Sequence, residues 1–254
     1  MADIALSLPL FSSAFDLGAL HEAAAPSTWR AFGLSIGSWI LGPIGAILLS
    51  AFATATLFAI LVSFRKTASE EIYFLAFWAL SCSFESGRIL VERLAAGGFP
   101  PAWMALTTRV VLAARFSGYG AFFLAGLRSA GFRNERPGRA VLAAIGIGIA
   151  AASALPVDSG TFDATYLVRA AYQPERLILL AALALVTAVN LLVAVETTGE
   201  KVFRTVAVGA LALLAGQALL ILGWQPEILL AGILLLGFGA RLFVSQLHAH
   251  YLWQ

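Results

Sequence analysis

The sequence predicts an all-α integral membrane protein, a bundle of seven transmembrane helices with the N-terminus outside and the C-terminus in the cytoplasm. Three observations carry that prediction. The 254-residue chain is 60 % hydrophobic and only 12 % charged, with a mean hydropathy of +0.89, whereas a soluble domain is roughly 45–50 % apolar and about a quarter charged. Such a chain cannot cover a water-facing surface with polar groups, so lipid is its solvent. The apolar residues fall into seven runs near the length of about 20 residues that a span requires. Finally, Lys and Arg concentrate in alternate loops.

Residues 1–28 read as an extracytoplasmic or interfacial N-terminal segment, with Phe11, Phe15, Leu17 and Leu20 facing lipid or protein. No basic residue precedes Arg30, so a secretory signal is not expected. Residues 29–254 form the seven-helix domain. Its first span covers about Ala31–Phe64, with Gly42-Pro43 expected to kink or break it, and Arg65-Lys66 close it. The second covers about Glu71–Leu94, and Gly97-Gly98-Phe99-Pro100-Pro101 forces a turn. The third runs about Trp103–Leu127, and a basic loop follows with Arg128, Arg133, Arg136 and Arg139. Val141–Leu155 is the fourth, apolar and rich in small residues. A longer loop, about Pro156–Gln173, holds Asp158 and Asp163, which could ligate a cation but are expected instead to lie in a solvated loop. The fifth span starts at Pro174, a favoured first helical position, and ends near Val195. The sixth is about Val202–Gly223, and the seventh runs from Pro226 to about Leu247. With connections this short, the chain is expected to leave no room for a soluble effector domain.

Orientation follows from the charges in the short loops. Arg65, Lys66, Arg128, Arg133, Arg136, Arg139, Lys201 and Arg204 lie on one side, against Arg30, Arg93, Arg169 and Arg176 on the other. The richer side is cytoplasmic, which places Trp29, Trp103 and Trp224 at the outer interface where indoles prefer to sit. The expected location is the bacterial inner (cytoplasmic) membrane. On the fourth span Ala140, Ala144, Gly148 and Ala152 recur every four residues, a flat face for close helix contact within the bundle or in a dimer.

Ionisable residues at membrane depth are costly and mark either helix-docking pairs or functional sites. Glu85, Arg88 and Glu92 share one face of the second span, and Arg109 and Arg115 lie on the third. Antiparallel neighbours joined by a short turn should bring together residues whose numbers have a constant sum. Glu85 with Arg115 gives 200 and Glu92 with Arg109 gives 201, so both pairs fit one register with Arg88 between them. As structure, these are two buried ion pairs that fix how the helices dock. As function, Arg88 is left without a matching acid and is directed into the bundle, where it would bind an anionic headgroup or ligand from the outer side. Asn190, Gln217 and Arg241 are candidates to extend the polar network.

Other chemistry is scarce. Cys82 alone permits no intramolecular disulfide or thiolate cluster, and an inert buried thiol is expected. His21 stands alone, while His248 and His250 diverge by about 200° on a helix and would share a face only if the tail were extended. No metal or other cofactor is expected, and dispersed basic residues give no nucleic-acid footprint. Ser81, Ser83 and Ser86 surround Glu85, but no histidine or lysine accompanies them as a base.

The span count and orientation resemble those of rhodopsins, of receptor-type seven-helix proteins and of the seven-helix sensor modules of bacteria. The resemblance rests on topology alone. A retinal Schiff base needs a lysine inside the bundle, and Lys66 and Lys201 both fall in cytoplasmic loops. Zinc hydrolases resembling ceramidases need intramembrane histidines, and no span interior has one. Glu70-Glu71 lacks the partner histidines of an intramembrane protease. The expected function is therefore a non-enzymatic membrane module that senses a ligand or docks as a subunit in a larger membrane assembly. Besides membrane lipid, its expected contact is a protein partner at loop 128–139 or tail 246–254. A small transporter or channel lined by Glu85, Arg115, Asn190 and Gln217 is the alternative, and an intramembrane enzyme is the third class.

Overall fold

The computed structural model describes residues 29–31, 34–36, 38–63, 70–132, 136–163, 165–199, 202–223 and 225–252. The expectations for residues 1–28, including His21, and for Arg65, Lys66, Arg133, Lys201 and Trp224 lie outside these residues. Seven of its helical segments are long and apolar enough to cross a membrane, the architecture of an integral membrane protein.

Two short antiparallel strands, β1 (Trp29–Ala31) and β2 (Leu34–Ile36), lead into α1 (Ser38–Ser63). The second span is made of α2 (Glu70–Ser83) and α3 (Gly87–Ala96), joined by a 3₁₀ turn at Phe84–Ser86. Next come α4 (Pro101–Ser129) and α5 (Pro137–Ala154), each opened by a proline whose missing N–H costs nothing at a first helical position. A hairpin of β3 (Val157–Phe162) and β4 (Val168–Ala170) follows. The chain ends in α6 (Gln173–Thr198), α7 (Val202–Leu222) and α8 (Pro226–Leu252). Gly98 (φ 66°) and Gly199 (φ 74°) take left-handed conformations just past α3 and α6, where a side chain would strain the backbone.

The 3₁₀ turn has a local cause. The hydroxyls of Ser81, Ser83 and Ser86 each donate to the carbonyl three residues earlier, at 2.7, 2.7 and 2.8 Å. Such back-bonding competes with regular helical bonding, and a mid-helix 3₁₀ segment often marks a functional position. Across Gly42-Pro43, by contrast, α1 is unbroken.

Among the seven spans, α4 and α7 bury the largest shares of their residues and form the centre. Trp78, Phe122 and Phe243 stack edge to face within the core, with centroids 5.1 and 5.6 Å apart. Large apolar side chains such as Phe58, Leu142, Ile147, Ile178 and Leu234 are more than half exposed. Water would not tolerate so continuous an apolar exterior, and a bilayer solvates it. Small residues set the closest approaches: a Cβ added at Gly216 on α7 would lie 2.8 Å from the Gly232 carbonyl oxygen on α8. The small-residue face of α5 is used inside the bundle. Ala144, Gly148 and Ala152 are buried, Ala140 is half-buried, and a Cβ at Gly148 would sit 2.7 Å from the Ala113 carbonyl of α4.

The loop between α5 and α6 departs most from expectation. Instead of solvated coil it is the β3–β4 hairpin, whose Leu167, Val168 and Ala170 are buried against Val91, Met104, Val111 and Ala152. Backbone polar groups need partners wherever they leave water; strand pairing supplies them here. The helix at the C-terminus continues to Leu252, so the extended arrangement that would align His248 with His250 does not occur.

Candidate functional site

The α3–α4 turn is short and the two helices run antiparallel, which brings position 85 level with position 115. Arg115 grips Glu85 with two parallel hydrogen bonds, Nε to Oε1 at 2.5 Å and Nη2 to Oε2 at 2.8 Å. Glu85 is 1 % exposed and Arg115 8 %, so this is a planar fork on a carboxylate in a water-poor interior. Arg88, one helical turn along and 2 % exposed, reaches the same carboxylate with Nη1 at 4.0 Å. Its Nε donates instead to the Thr165 carbonyl of the hairpin at 2.7 Å, and Nη1 makes no hydrogen bond among the described residues.

The pair expected between Glu92 and Arg109 does not form. Arg109 is exposed and Glu92 is half-buried near the Tyr166 phenol. The constant-sum rule fixes height but not azimuth. Six residues separate 109 from 115, about 600° of helical rotation, which turns Arg109 some 120° away from the Arg115 face. Thr108, seven residues from Arg115, does share that face. It is fully buried, and its hydroxyl oxygen accepts from the Val168 N–H at 3.1 Å.

The hairpin forms the roof. Asp163, expected in solvent, is half-buried, and its Oδ1 accepts from the Thr165 N–H (2.7 Å), the Thr165 hydroxyl (2.5 Å) and the Leu167 N–H (3.3 Å). This cap aims the Thr165 carbonyl at Arg88. Tyr166 adopts a left-handed backbone (φ 63°) and lays its ring on Gly42 of α1, where a Cβ would collide with it. Burial, and after it the Glu92 carboxylate, pushes the Tyr166 phenol above its ordinary range, with Arg88 opposing.

Beside the roof, a cavity of about 30 Å³ is lined by Arg115, Asp163, Thr165, Gln173 and Arg176 on its polar side. That is room for a water or two, or for a small charged group. Its apolar side is Leu112, Phe116, Leu177, Leu180, Ile221 and Leu222. Arg176, in the first turn of α6, donates Nη2 to the Ala170 carbonyl at 3.2 Å, while its buried Nε has no hydrogen-bond partner among the described residues. The sequence marks Arg176 only as a loop charge, and Asp163 only as a solvated residue or a cation ligand, not as neighbours of Arg115. The docked hairpin, invisible in the hydropathy pattern, brings Asp163 to Arg115, and the packing of α6 on α4 brings Arg176 there.

The proposed extensions of the network stay apart from it. Gln217 is buried, and its Oε1 accepts the Trp78 indole N–H at 2.8 Å. Asn190 lies 17 residues into α6 from Gln173, about 25 Å along the helix, with Nδ2 buried and without a hydrogen-bond partner among the described residues. Arg241 is exposed on α8. Among the described residues no group of three or more His, Cys, Asp and Glu side chains has a metal-binding arrangement, and Cys82 is a buried free thiol. No protein-family model and no curated sequence matches the chain.

Proposed function

We propose that this protein is a non-enzymatic seven-helix membrane module that senses a ligand at the Glu85–Arg88–Arg115 cluster and passes the signal to a partner polypeptide in a larger membrane assembly. In this reading the hairpin end faces outward, the C-terminus is cytoplasmic, and the membrane is the bacterial inner membrane. The positive-inside pattern supports that orientation, as does Trp103, which is exposed at the start of α4 on the hairpin end.

One observation carries the reading: three arginines and two carboxylates converge beside a small cavity at the end of the bundle, roofed by an ordered hairpin. Helix docking alone needs one acid for each base. A surplus arginine at membrane depth is expensive to keep and is the usual mark of a functional site. The groove between α4 and α5, with Arg128, Phe132 and Arg139 at its edge, and tail 246–254 are the proposed partner surfaces. Anionic lipid is also attracted to such a basic edge. The transporter reading is weaker, because Gln217 is engaged by Trp78 and Asn190 lies far along α6 from the cluster.

The test is purification in mild detergent followed by mass spectrometry of whatever protein or lipid accompanies the chain. A stoichiometric partner or bound small molecule is expected. A chain that is monodisperse, bare and active in ion flux after reconstitution would favour the transporter instead.

A further inference from the structure

Among the charged side chains that line the cavity, Arg115 and Arg176 carry two positive charges against one negative charge on Asp163. Glu85 is committed to the fork on Arg115, and Asp163 already accepts three hydrogen bonds from its own loop. The lining is therefore richer in cation than in anion. It also lacks an acceptor at a definite place, since Arg176 lines the cavity with a buried, unpartnered Nε. The available volume suits a planar group of three heavy atoms better than a tetrahedral phosphodiester with two substituents. Flat carboxylates also match the guanidinium fork. On the remaining walls, Leu177 of α6 and Leu222 of α7 are about 40 % and 39 % exposed, so the apolar side of the cavity is bounded by side chains that also reach the outer surface.

We propose that this cavity binds a single carboxylate, held by Arg176 and Arg115, with its apolar substituent leaving past Leu177 and Leu222. This deepens the sensing reading and rests on it. The carboxylate has two sources, a membrane amphiphile such as a fatty acid or a small free acid; the exposed leucines favour the amphiphile.

The experiment uses the full chain in nanodiscs of zwitterionic phosphatidylcholine, titrated separately with oleate, oleyl alcohol, acetate and inorganic phosphate. Thermal unfolding gives the readout. Oleate is expected to raise Tm saturably and oleyl alcohol to leave it unchanged. Arg176→Gln should weaken the oleate response about tenfold or more, as expected for losing a charged hydrogen bond. Arg176→Lys, which keeps the charge but not Nε, should fall between. Arg176 is only half-buried, so these variants are expected to fold, and circular dichroism checks it. Acetate acting as well as oleate would keep the carboxylate and assign it to a free acid. Three results would overturn the proposal: no response to either acid, equal responses to oleate and oleyl alcohol, or phosphate acting better than both acids. A stable partner or another bound molecule after mild-detergent purification would then still leave the sensing module standing, whereas a bare chain would remove both.

Discussion

Replacing Glu85 by Gln is predicted to destabilise the protein more than replacing Arg115 by Gln, although both changes break the same two hydrogen bonds. Glu85→Gln strands two buried arginines, 2 % and 8 % exposed, with no carboxylate hydrogen-bonded to either. An uncompensated buried charge typically costs about 3–5 kcal/mol, and the upper part of that range applies here. Arg115→Gln leaves Glu85 beside Arg88, whose Nη1 is already 4.0 Å away and has no hydrogen bond to give up. A small shift of Arg88 then neutralises the carboxylate, so the loss should sit at or below about 3 kcal/mol. In the double variant the pair is gone but Arg88 remains, so recovery is partial. The coupling energy should fall in the range of about 0.5–3 kcal/mol found for residues in contact. Reversible unfolding in mixed micelles of rising SDS fraction measures all four proteins. Equal costs for the two single changes would refute the role assigned to Arg88. Additivity within about 0.5 kcal/mol would refute the pair itself.

Three further outcomes are expected. Cysteine introduced at Thr161, an exposed position on β3, should react with a membrane-impermeant maleimide from outside intact cells, while a reporter fused after Gln254 is active only in the cytoplasm; the reverse pattern would invert the topology. Gly148→Val should cost about 1–3 kcal/mol by overpacking α5 on α4, with no change in oligomeric state on a sizing column, and a shift in that state would assign the small-residue face to a dimer. Because the Tyr166 phenol is raised in the fold, the unfolded chain loses that proton first. Its contribution is therefore complete below about pH 10 and fades as pH climbs above that value; Tyr166→Phe should flatten that decline in a Tm-against-pH series.

Spans and one ion pair were legible because each depends on short-range rules. Apolar run length marks a helix, and a tight antiparallel turn sets which heights meet, so Glu85 and Arg115 could be matched by number alone. Arg109 shows the limit of that arithmetic, since a residue at the right height on the wrong azimuth meets lipid or solvent instead. The hairpin was hidden for another reason. Asp158, Ser159, Gly160 and Thr161 give β3 little strand character, and β4 is only three residues long. Two such strands are marginal in isolation. They hold because Leu167 and Val168 dock on α3 and α4, a tertiary condition that no local pattern announces. Asp163 became a site residue through the same docking, and Arg176 through the packing of α6 on α4. The 3₁₀ turn had a visible trace in the serines around Glu85, which sequence reasoning weighed only as candidate nucleophiles.

The hydrogen bond from Arg88 to Thr165 spans 77 residues, whereas Arg115 and Glu85 are 30 apart. During synthesis the second and third spans can therefore enter the bilayer as a unit with their ion pair made, but Arg88 must wait for the hairpin. From Arg115, which completes the pair, to Thr165 is 50 residues, and at about 5–20 residues per second that interval is roughly 2.5–10 s. Throughout it a guanidinium at membrane depth has only a shared carboxylate to face. Assembly of this protein thus has an obligatory order, with a vulnerable half-built stage that ends when the loop after α5 folds down. A nascent chain arrested with its third span inserted and its hairpin still inside the ribosome would be held in that stage, the point at which a membrane chaperone or protease has most to recognise.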